Sequence, residues 1–287
     1  MNTLEMLHVV FELVVYPGLV FSATVGLVLT WVMRKSVAKL QSRIGPPIYQ
    51  PFADVLKLLA KESIVPARAH KLMFNLAPIM SLAAVVVAIL LIPIGTRSPP
   101  LGFMGDIIVL LYLLAIPTIG TVVGGSSSAN PFGAVGASRE MSLMVAYEIG
   151  MILSVLTLCL DAGSLRMVDL SHPYLLKYPL AAIVFLICTH AKLGLTPFDI
   201  PEAKTEIMAG PYTEYSGRNL AMFKLSRAIL MFALSSLFVS LFIPGPFVGV
   251  YIVDVMIHLL KCAVIVIMLS VVVASNPRVR VDQAVKF

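Results

Sequence analysis

Four acidic side chains lie close together in one short polar stretch of an otherwise apolar sequence. Asp199, Glu202, Glu206 and Glu214 fall within residues 192–217, and apolar segments of membrane length flank the stretch on both sides. Carboxylates in this position form either a solvated loop or a site that takes up and releases protons. Both interpretations stay open on the residue types alone.

Two further carboxylates lie in an earlier apolar segment. Glu148 follows Glu140 by eight residues, which places it about 12 Å deeper along a helix and about 80° around it. A carboxylate at that depth in a bilayer costs roughly 2.5 to 3.5 kcal/mol or more, so it should face protein or water and serve a function. The alternative is a glutamate that is hydrogen-bonded only for packing.

Basic side chains also occur within the apolar segments. Lys261 lies well inside the last one, where a cation needs a partner, and it is a candidate functional residue. His190 is a candidate proton relay, although a lone buried imidazole is more often a helix-contact residue. Lys192 is expected to extend its ammonium group to the interface, and Arg227 either to do the same or to pair with the acidic stretch.

The composition indicates an integral membrane protein. Of the 287 residues, 59% are hydrophobic and only 13% are charged, against about 25% charged in soluble proteins. The net charge of +6 comes from basic residues between apolar segments, which is a topology signal and excludes a nucleic-acid surface. The three cysteines are scattered without metal-site spacing, so neither a cofactor nor a metal site is expected on this chain.

Seven apolar segments are long enough to cross a bilayer as helices of about 20 residues. The predicted fold is therefore an all-α integral membrane protein, with about seven transmembrane helices in a single polytopic domain of residues 1–287. The first segment lacks a cleavage site for a signal peptidase and is expected to remain as a span. The segments are residues 9–33, 72–94, 107–123, 141–160, 178–195, 220–243 and 251–274.

The distribution of lysine and arginine predicts the orientation. Basic residues are concentrated between the first two segments, so this loop is expected to be cytoplasmic and the N-terminus outside. Alternation along the chain then gives a cytoplasmic C-terminus in the cell membrane. The predicted cytoplasmic segments are approximately residues 34–71, 124–139, 196–218 and 275–287.

The first cytoplasmic loop contains a short amphipathic pattern. Pro51 suits the first position of a helix, and Phe52, Val55, Leu56 and Leu59 follow on one face. The pattern predicts a cytoplasmic helix that lies at the interface or covers neighbouring spans. A plain surface helix is the alternative.

Several motifs resemble those of one family. The first loop reads KLQSRIGPP at residues 39–47 and QPFADVLKLLAKE at residues 50–62. Later stretches read GASRE at 136–140, PFDIPEA at 197–203, EYSG at 214–217 and NPRVRVDQ at 276–283. Together they resemble the signatures of NADH dehydrogenase subunit 1, the NuoH-type family, over nearly the whole chain.

The resemblance implies a non-catalytic subunit that joins an electron-transferring arm to an ion-pumping membrane arm. The expected partners are a hydrophilic hydrogenase-like large subunit, iron–sulfur subunits, antiporter-like membrane subunits and lipid. Iron–sulfur clusters, and in hydrogenase-type complexes a nickel–iron centre, are expected in those partners. The proposed path for protons or sodium ions comprises Glu140, Glu148, Asp199, Glu202, Glu206, Glu214, Lys261 and His190. The expected subunit interface comprises Arg43, Asp54, Lys57, Lys61 and Arg139.

Several departures from the family pattern favour its hydrogenase and sulfane reductase branch. Met33 replaces a usual glutamate, residues 193–196 lack a usual Glu-x-x-Arg, and Arg227 stands where a glutamate is common. GPYTE at residues 210–214 is similar to the hydrogenase branch, and a further C-terminal span is expected to be absent. These differences weaken the expectation of a bound quinone.

Three alternatives remain from the sequence. The first is a complex I subunit with a quinone site in the same place. The second is a stand-alone secondary transporter, for which the buried charges are the only support and no internal repeat is found. The third is an anchor for the soluble arm that moves no ion.

Overall fold

A computed structural model describes residues 11–95, 99–170, 172–245, 248–279 and 283, without the side chains of Lys204 and Thr205. The described residues form helices and connecting turns, with no strand among them. The helices are α1 (Leu19–Leu40), α2 (Gln50–Leu59), α3 (Lys71–Leu90), α4 (Asp106–Ser127), α5 (Pro131–Ala162), α6 (Pro179–Lys192), α7 (Gly217–Phe242) and α8 (Tyr251–Ser275).

The prediction of an all-α membrane protein is confirmed. Six helices in the described part of the chain are long and apolar enough to cross a membrane, the first of them extending from Phe11 to Leu40. The predicted span at residues 178–195 is an apolar helix of only 14 residues, α6. At 1.5 Å per residue it is about 21 Å long, so it is shorter than the bilayer core of about 30 Å.

Helix α7 is the centre of the bundle. It contacts α1, α2, α3, α4, α6 and α8. In its most apolar 18-residue segment 83% of the residues are buried, against 33% to 50% in the other five long helices. The apolar part of α7 is therefore surrounded by protein, although Arg218 and Lys224 near its start are exposed. The outer helices expose large side chains such as Tyr112 and Leu180 at the surface.

Two of the predicted segment boundaries differ in the structure. Residues 124–139, predicted as a loop, are almost wholly helical, because α4 continues to Ser127 and α5 begins at Pro131. Asn130 caps α5 by accepting a hydrogen bond from the backbone N–H of Phe132. Glu140 therefore lies inside a continuous 32-residue helix and not at its start. Residues 1–10, 280–282 and 284–287, which include both chain ends, lie outside the described residues, and the sidedness stays a prediction.

The amphipathic pattern forms α2 as predicted, with Pro51 in its first turn. Val55 packs with Leu27 of α1 and Ala228 of α7, so this helix covers the spans. Leu56 and Leu59 on the same helix remain exposed and give it a second apolar surface.

The acidic stretch folds as a compact segment against one end of the bundle. It contains one helical turn, Lys204–Ile207, and a 3₁₀ turn, Gly210–Tyr212. Its end meets the first loop, where the backbone N–H of Ile64 donates to Ser216 Oγ at 3.0 Å. The chain returns to the acidic stretch after α8, where the backbone N–H of Val279 donates a hydrogen bond to the carbonyl of Pro197 at 3.2 Å.

Candidate functional site

Each acidic residue of the stretch has a partner on a different part of the chain. Their separations in the chain range from 25 to 84 residues, so the contacts are tertiary. This arrangement distinguishes the stretch from a freely solvated loop, in which carboxylates face water. The pairs are Asp199 with Arg278 at 2.9 Å, Glu202 with Arg227, Glu206 with Arg139 at 2.6 Å, and Glu214 with the amide of Asn130 at 2.5 Å.

Glu148 forms an ion pair that sequence reasoning missed. Its Oε1 atom accepts a hydrogen bond from Lys192 Nζ at 2.5 Å. The Lys192 side chain is 0% exposed and that of Glu148 is 13% exposed, so Lys192 does not reach the interface as predicted. A glutamate inside one span and a lysine at the end of the next were the available signal, but the chain alone could not show that the two helices pack together.

Arg227 joins the acidic stretch to the central helix. Its guanidinium pairs with Glu202, and its Nη2 donates to the carbonyls of Leu193 at 2.7 Å and Gly194 at 3.0 Å. The two carbonyls lie just beyond the end of α6, where helix acceptors have no intrahelical partner. The sequence left two possibilities for Arg227, extension to the interface or pairing with the acidic stretch. The structure shows the pairing.

A small polar cavity lies between these groups. Its volume is about 50 Å³, and Glu140, Lys192, Glu202, Tyr212 and Arg227 are among its lining residues. A bound water needs at least about 10 to 15 Å³ of such volume, so the cavity has room for a few water molecules. A quinone ring does not fit, because sites for small organic molecules usually occupy about 300 to 1,000 Å³.

Glu140 differs from the other carboxylates at this site. Its Oε1 atom accepts a hydrogen bond from the Tyr147 hydroxyl at 3.4 Å, and Tyr147 is also 3.2 Å from Thr118 Oγ1. Within the described residues this carboxylate is hydrogen-bonded to one hydroxyl group and not to a cation. Burial and the neighbouring Glu202 raise the pKa of Tyr212 well above its usual value, so this hydroxyl stays neutral beside the cavity.

His190 and Lys261 lie apart from this cavity. His190 Nε2 is 2.7 Å from the carbonyl of Thr196, so this nitrogen is the donor, and the ring borders an apolar groove. Lys261 Nζ donates instead to the carbonyl of Ile243 at 2.9 Å. Ile243 follows Arg227 by 16 residues, or about 24 Å along α7, so Lys261 lies far from the carboxylates. Its place on an ion path stays a prediction.

The predicted interface residues fall into two groups. Arg43, Lys57 and Lys61 are exposed, as a contact surface requires. Asp54 and Arg139 are instead engaged within the chain, with Arg34 and Glu206 respectively. Burial opposes ionisation of Asp54, but hydrogen bonds from Arg34 and Gln50 outweigh it and hold the pKa of this carboxyl below its usual value.

No cluster of three or more metal-binding side chains occurs in the part of the chain that the structure describes. Cys159, Cys188 and Cys262 are each buried and unpaired with one another. The carboxylates, cations and small cavity of this site are groups of the kind that proton transfer requires.

The fold and the site together define a multi-pass membrane protein in which one buried and several partly exposed ion pairs meet a surface loop at one end. Residues 13–287 match the NADH dehydrogenase family. The NuoH-type subunit of NADH-quinone oxidoreductase from Bacillus mycoides (strain KBAB4) is 37% identical over 274 residues, which cover 88% of this chain and 81% of that protein. The same figures hold for the corresponding protein of Bacillus thuringiensis (strain Al Hakam).

A solved structure is similar over the same extent. A chain of the membrane-bound sulfane sulfur reductase, an archaeal respiratory membrane complex, is 30% identical with a TM-score of 0.85. The match covers 94% of this chain and 91% of that one. This chain therefore belongs to the NADH dehydrogenase family, as a membrane subunit of the NuoH type found in complex I.

Substitution of Lys192 by Met should destabilise the protein strongly. Removal of one member of a buried ion pair leaves the other charge uncompensated and costs about 3 to 5 kcal/mol. The double variant with Glu148→Gln should recover most of the loss, because no lone charge remains. Thermal unfolding of the purified complex measures both effects.

Lys177→Met provides the matched control for this experiment. Lys177 also pairs with a carboxylate, Asp161, at 2.5 Å, but its side chain is 58% exposed. Water solvates the remaining charge there, so the change in stability should be small. Equal losses of stability for Lys177→Met and Lys192→Met would contradict the conclusion that burial makes the loss of Lys192 costly.

Substitution of Arg278 by Gln should change the titration of Asp199. Burial and the neighbouring Glu202 raise the pKa of this carboxyl, while Arg278 lowers it. Loss of the guanidinium should therefore raise the pKa of Asp199 further, and the group should stay protonated to a higher pH. Infrared spectroscopy of the carboxylic C=O band, identified with Asp199→Asn, measures the shift. Arg34→Gln, which removes the partner of Asp54, should leave the Asp199 band unchanged.

Proposed function

We propose that this chain is the coupling subunit of a complex I-related respiratory complex of the membrane-bound hydrogenase or sulfane reductase type. It would link electron transfer in a hydrophilic arm to translocation of protons or sodium ions. The observation that supports this most directly is a group of buried and partly buried charges next to a structured acidic loop. A subunit that served only as an anchor would have no need for charges at this depth, because each is costly to bury.

The balance of charges explains how such a group could respond to an electron. Glu140, Glu148 and Glu202 are accompanied by Lys192 and Arg227, so three carboxylates face two basic groups. The group carries one excess negative charge when all are ionised and is neutral when one proton is bound. A change of charge on a nearby redox group would then change the proton occupancy of the whole group.

Glu140 is the carboxyl that we expect to exchange this proton. Glu148 and Glu202 each have a cation within hydrogen-bonding distance, whereas the hydrogen-bond partner of Glu140 is the Tyr147 hydroxyl. Because Glu140 also lines the small cavity, bound water there would provide the route for the proton. Asp199 and Glu206 lie nearer the surface in this proposal and would connect the cavity to the soluble arm.

The exposed basic residues would complete the contact with that arm. Arg43, Lys57 and Lys61 lie in the first loop, and its end contacts Ser216 at the end of the acidic stretch. A surface with both signs of charge suits a hydrophilic hydrogenase-like subunit with a complementary pattern. Iron–sulfur clusters and, in the hydrogenase-type complexes, a nickel–iron centre would belong to such partners, and antiporter-like subunits would flank the spans.

The second candidate is a subunit of a quinone-reducing complex. The 37% identity to the NuoH-type subunits of NADH-quinone oxidoreductase supports it. The polar cavity between Glu140 and Arg227 opposes a quinone among the charged groups, because its volume is only about 50 Å³. Two apolar grooves of about 480 and 400 Å³ that border Phe198 are large enough for a quinone ring, but they lie beside the charged groups and not between them. We therefore favour coupling without a quinone bound at this position.

Ion translocation in proteoliposomes tests the proposal. In the intact complex, Glu140→Gln, Glu148→Gln and Glu202→Gln should each lower the number of ions moved per turnover. One positioned proton donor or acceptor usually contributes about 100-fold or more to a rate, so the rate of ion translocation should fall by about that factor. Asp169→Asn is the control, because Asp169 is an exposed carboxylate outside the acidic loop. Unchanged translocation in all three glutamine variants would favour the anchor that moves no ion.

Co-purification tests the partners. A tagged chain extracted in mild detergent should bring with it iron–sulfur and antiporter-like subunits, and nickel content distinguishes a hydrogenase from a sulfane reductase. Charge reversal by Lys57→Glu and Lys61→Glu should lower the recovery of the hydrophilic subunits, whereas Lys177→Glu should not. A chain that is stable and active alone would instead be a secondary transporter.

A further inference from the structure

A second small cavity lies between α7 and α8, far from the carboxylate site. Its volume is also about 50 Å³. Three ionisable side chains of α8 line it at spacings of four and three residues, which places them on one face of the helix. They are Asp254, His258 and Lys261.

The three side chains are held by contacts with the neighbouring segments. Asp254 Oδ1 accepts a hydrogen bond from the backbone N–H of Val248 at 2.7 Å. His258 Nε2 lies 2.7 Å from Ser236 Oγ of α7, and Lys261 Nζ donates to the carbonyl of Ile243. These contacts direct the polar groups of α8 towards α7 and the segment that follows it, and away from lipid.

Asp254 has an unsatisfied oxygen at this cavity. The residue is only 3% exposed, and its Oδ2 atom has no hydrogen-bond partner within the described part of the chain. A buried carboxylate oxygen without a partner is costly, so such a group normally binds water or an ion. Lys261 has three N–H donors and uses one on Ile243, which leaves donors available at the same cavity.

The charges that line this cavity favour water over a metal cation as the bound species. The carboxylate of Asp254 and the ammonium of Lys261 compensate each other, so a metal cation would add an excess positive charge beside the lysine. The carboxylate of Asp254 and the ammonium of Lys261 form no direct ion pair within 4.0 Å in the described part of the chain. A water molecule accepts from an ammonium and donates to a carboxylate, and the cavity has room for a few of them.

We propose that this cavity is a second hydrated site, in which bound water connects the carboxylate of Asp254 to the ammonium of Lys261 at the opposite end of the bundle. Water enters beside Pro244 and Gly245, which are partly exposed and follow the last residue of α7. His258 and Ser240 also line the cavity. The aqueous phase on that side therefore reaches into the bundle by several helical residues.

An apolar layer separates the two sites within this chain. From Arg227 to Ser236 the axis of α7 rises about 13.5 Å. The side chains at residues 230–234 between them are all apolar and buried. The water of the second site therefore ends at a dry layer and does not continue to the carboxylate site through this chain.

Radiolytic hydroxyl-radical labelling of the intact complex in ¹⁸O-water tests for the bound water. Radicals formed from water in the cavity should oxidise His258, with incorporation of the ¹⁸O label. His190 is the control, since it is a histidine of similar burial, 3% exposed against 7% for His258. Its Nδ1 atom also lacks a partner within the described residues, but its ring borders an apolar groove, and apolar cavities hold no ordered water. Labelling of His258 should exceed that of His190 by at least about fivefold if a few waters are held beside it. Equal labelling of the two histidines would overturn the proposal.

Substitutions at the pair test the water bridge. Asp254→Leu should reduce labelling of His258 to the level of His190, whereas Asp254→Asn, which still binds water, should retain most of it. Asp254→Asn and Lys261→Met should each lower the thermal transition of the complex by more than the double variant does. Strictly additive shifts would show that no water joins the two charges. If a variant fails to assemble, the comparison of His258 with His190 in the native complex still decides.

Discussion

The guanidinium of Arg227 joins the central helix to two parts of the acidic stretch. From the central helix it binds Glu202 of the acidic stretch and the carbonyls of Leu193 and Gly194 just beyond α6. An arginine has five donors in a rigid fork, so one side chain can satisfy helix-end carbonyls and neutralise a carboxylate together. Because α7 is nearly surrounded by other helices, this contact also determines where the acidic stretch lies relative to the bundle.

The acidic stretch packs closely against α5 because glycines at the contact have no side chain. A Cβ atom at Gly136 would lie only 2.7 Å from Pro211 Cδ, which is shorter than any normal contact. Gly210 adopts a φ of +53°, in the left-handed region that favours glycine. The stretch can therefore lie directly on the helix that contains Glu140 and Glu148, and this proximity makes one connected group from acids that are far apart in the chain.

The polar groups of this chain form two sites with an apolar layer between them. One site is acidic and meets the first basic loop, and the other has balanced charge at the opposite end of α7 and α8. The layer is dry because α7 has consecutive apolar residues that face neighbouring helices in all directions. Ions that reach the carboxylate site would therefore have to move sideways, between this chain and its neighbours, to cross the membrane.

Much of the architecture followed from the length of the apolar segments. A bilayer requires every backbone polar group to be satisfied within the segment, so an apolar run of about 20 residues predicts a helix reliably. The family motifs at residues 39–62, 136–140 and 197–217 likewise identified the family before the fold was considered. The start of α5 was missed because the residues from Pro131 to Arg139 include two glycines and a proline, which do not favour a helix on their own. The Asn130 cap and packing against the acidic stretch support the helix there.

The sequence by itself determined the membrane class, the number of apolar helices to within one short helix, and the depth of Glu148 and Lys261 in their spans. Only the tertiary structure decided which charges meet. Glu148 pairs with Lys192, 44 residues away, whereas Lys261 lies in the second hydrated site with Asp254. The physical reason is that the position of a residue in a helix gives its height along the bundle, while its partners depend on which helices pack together and on the direction in which each face is turned.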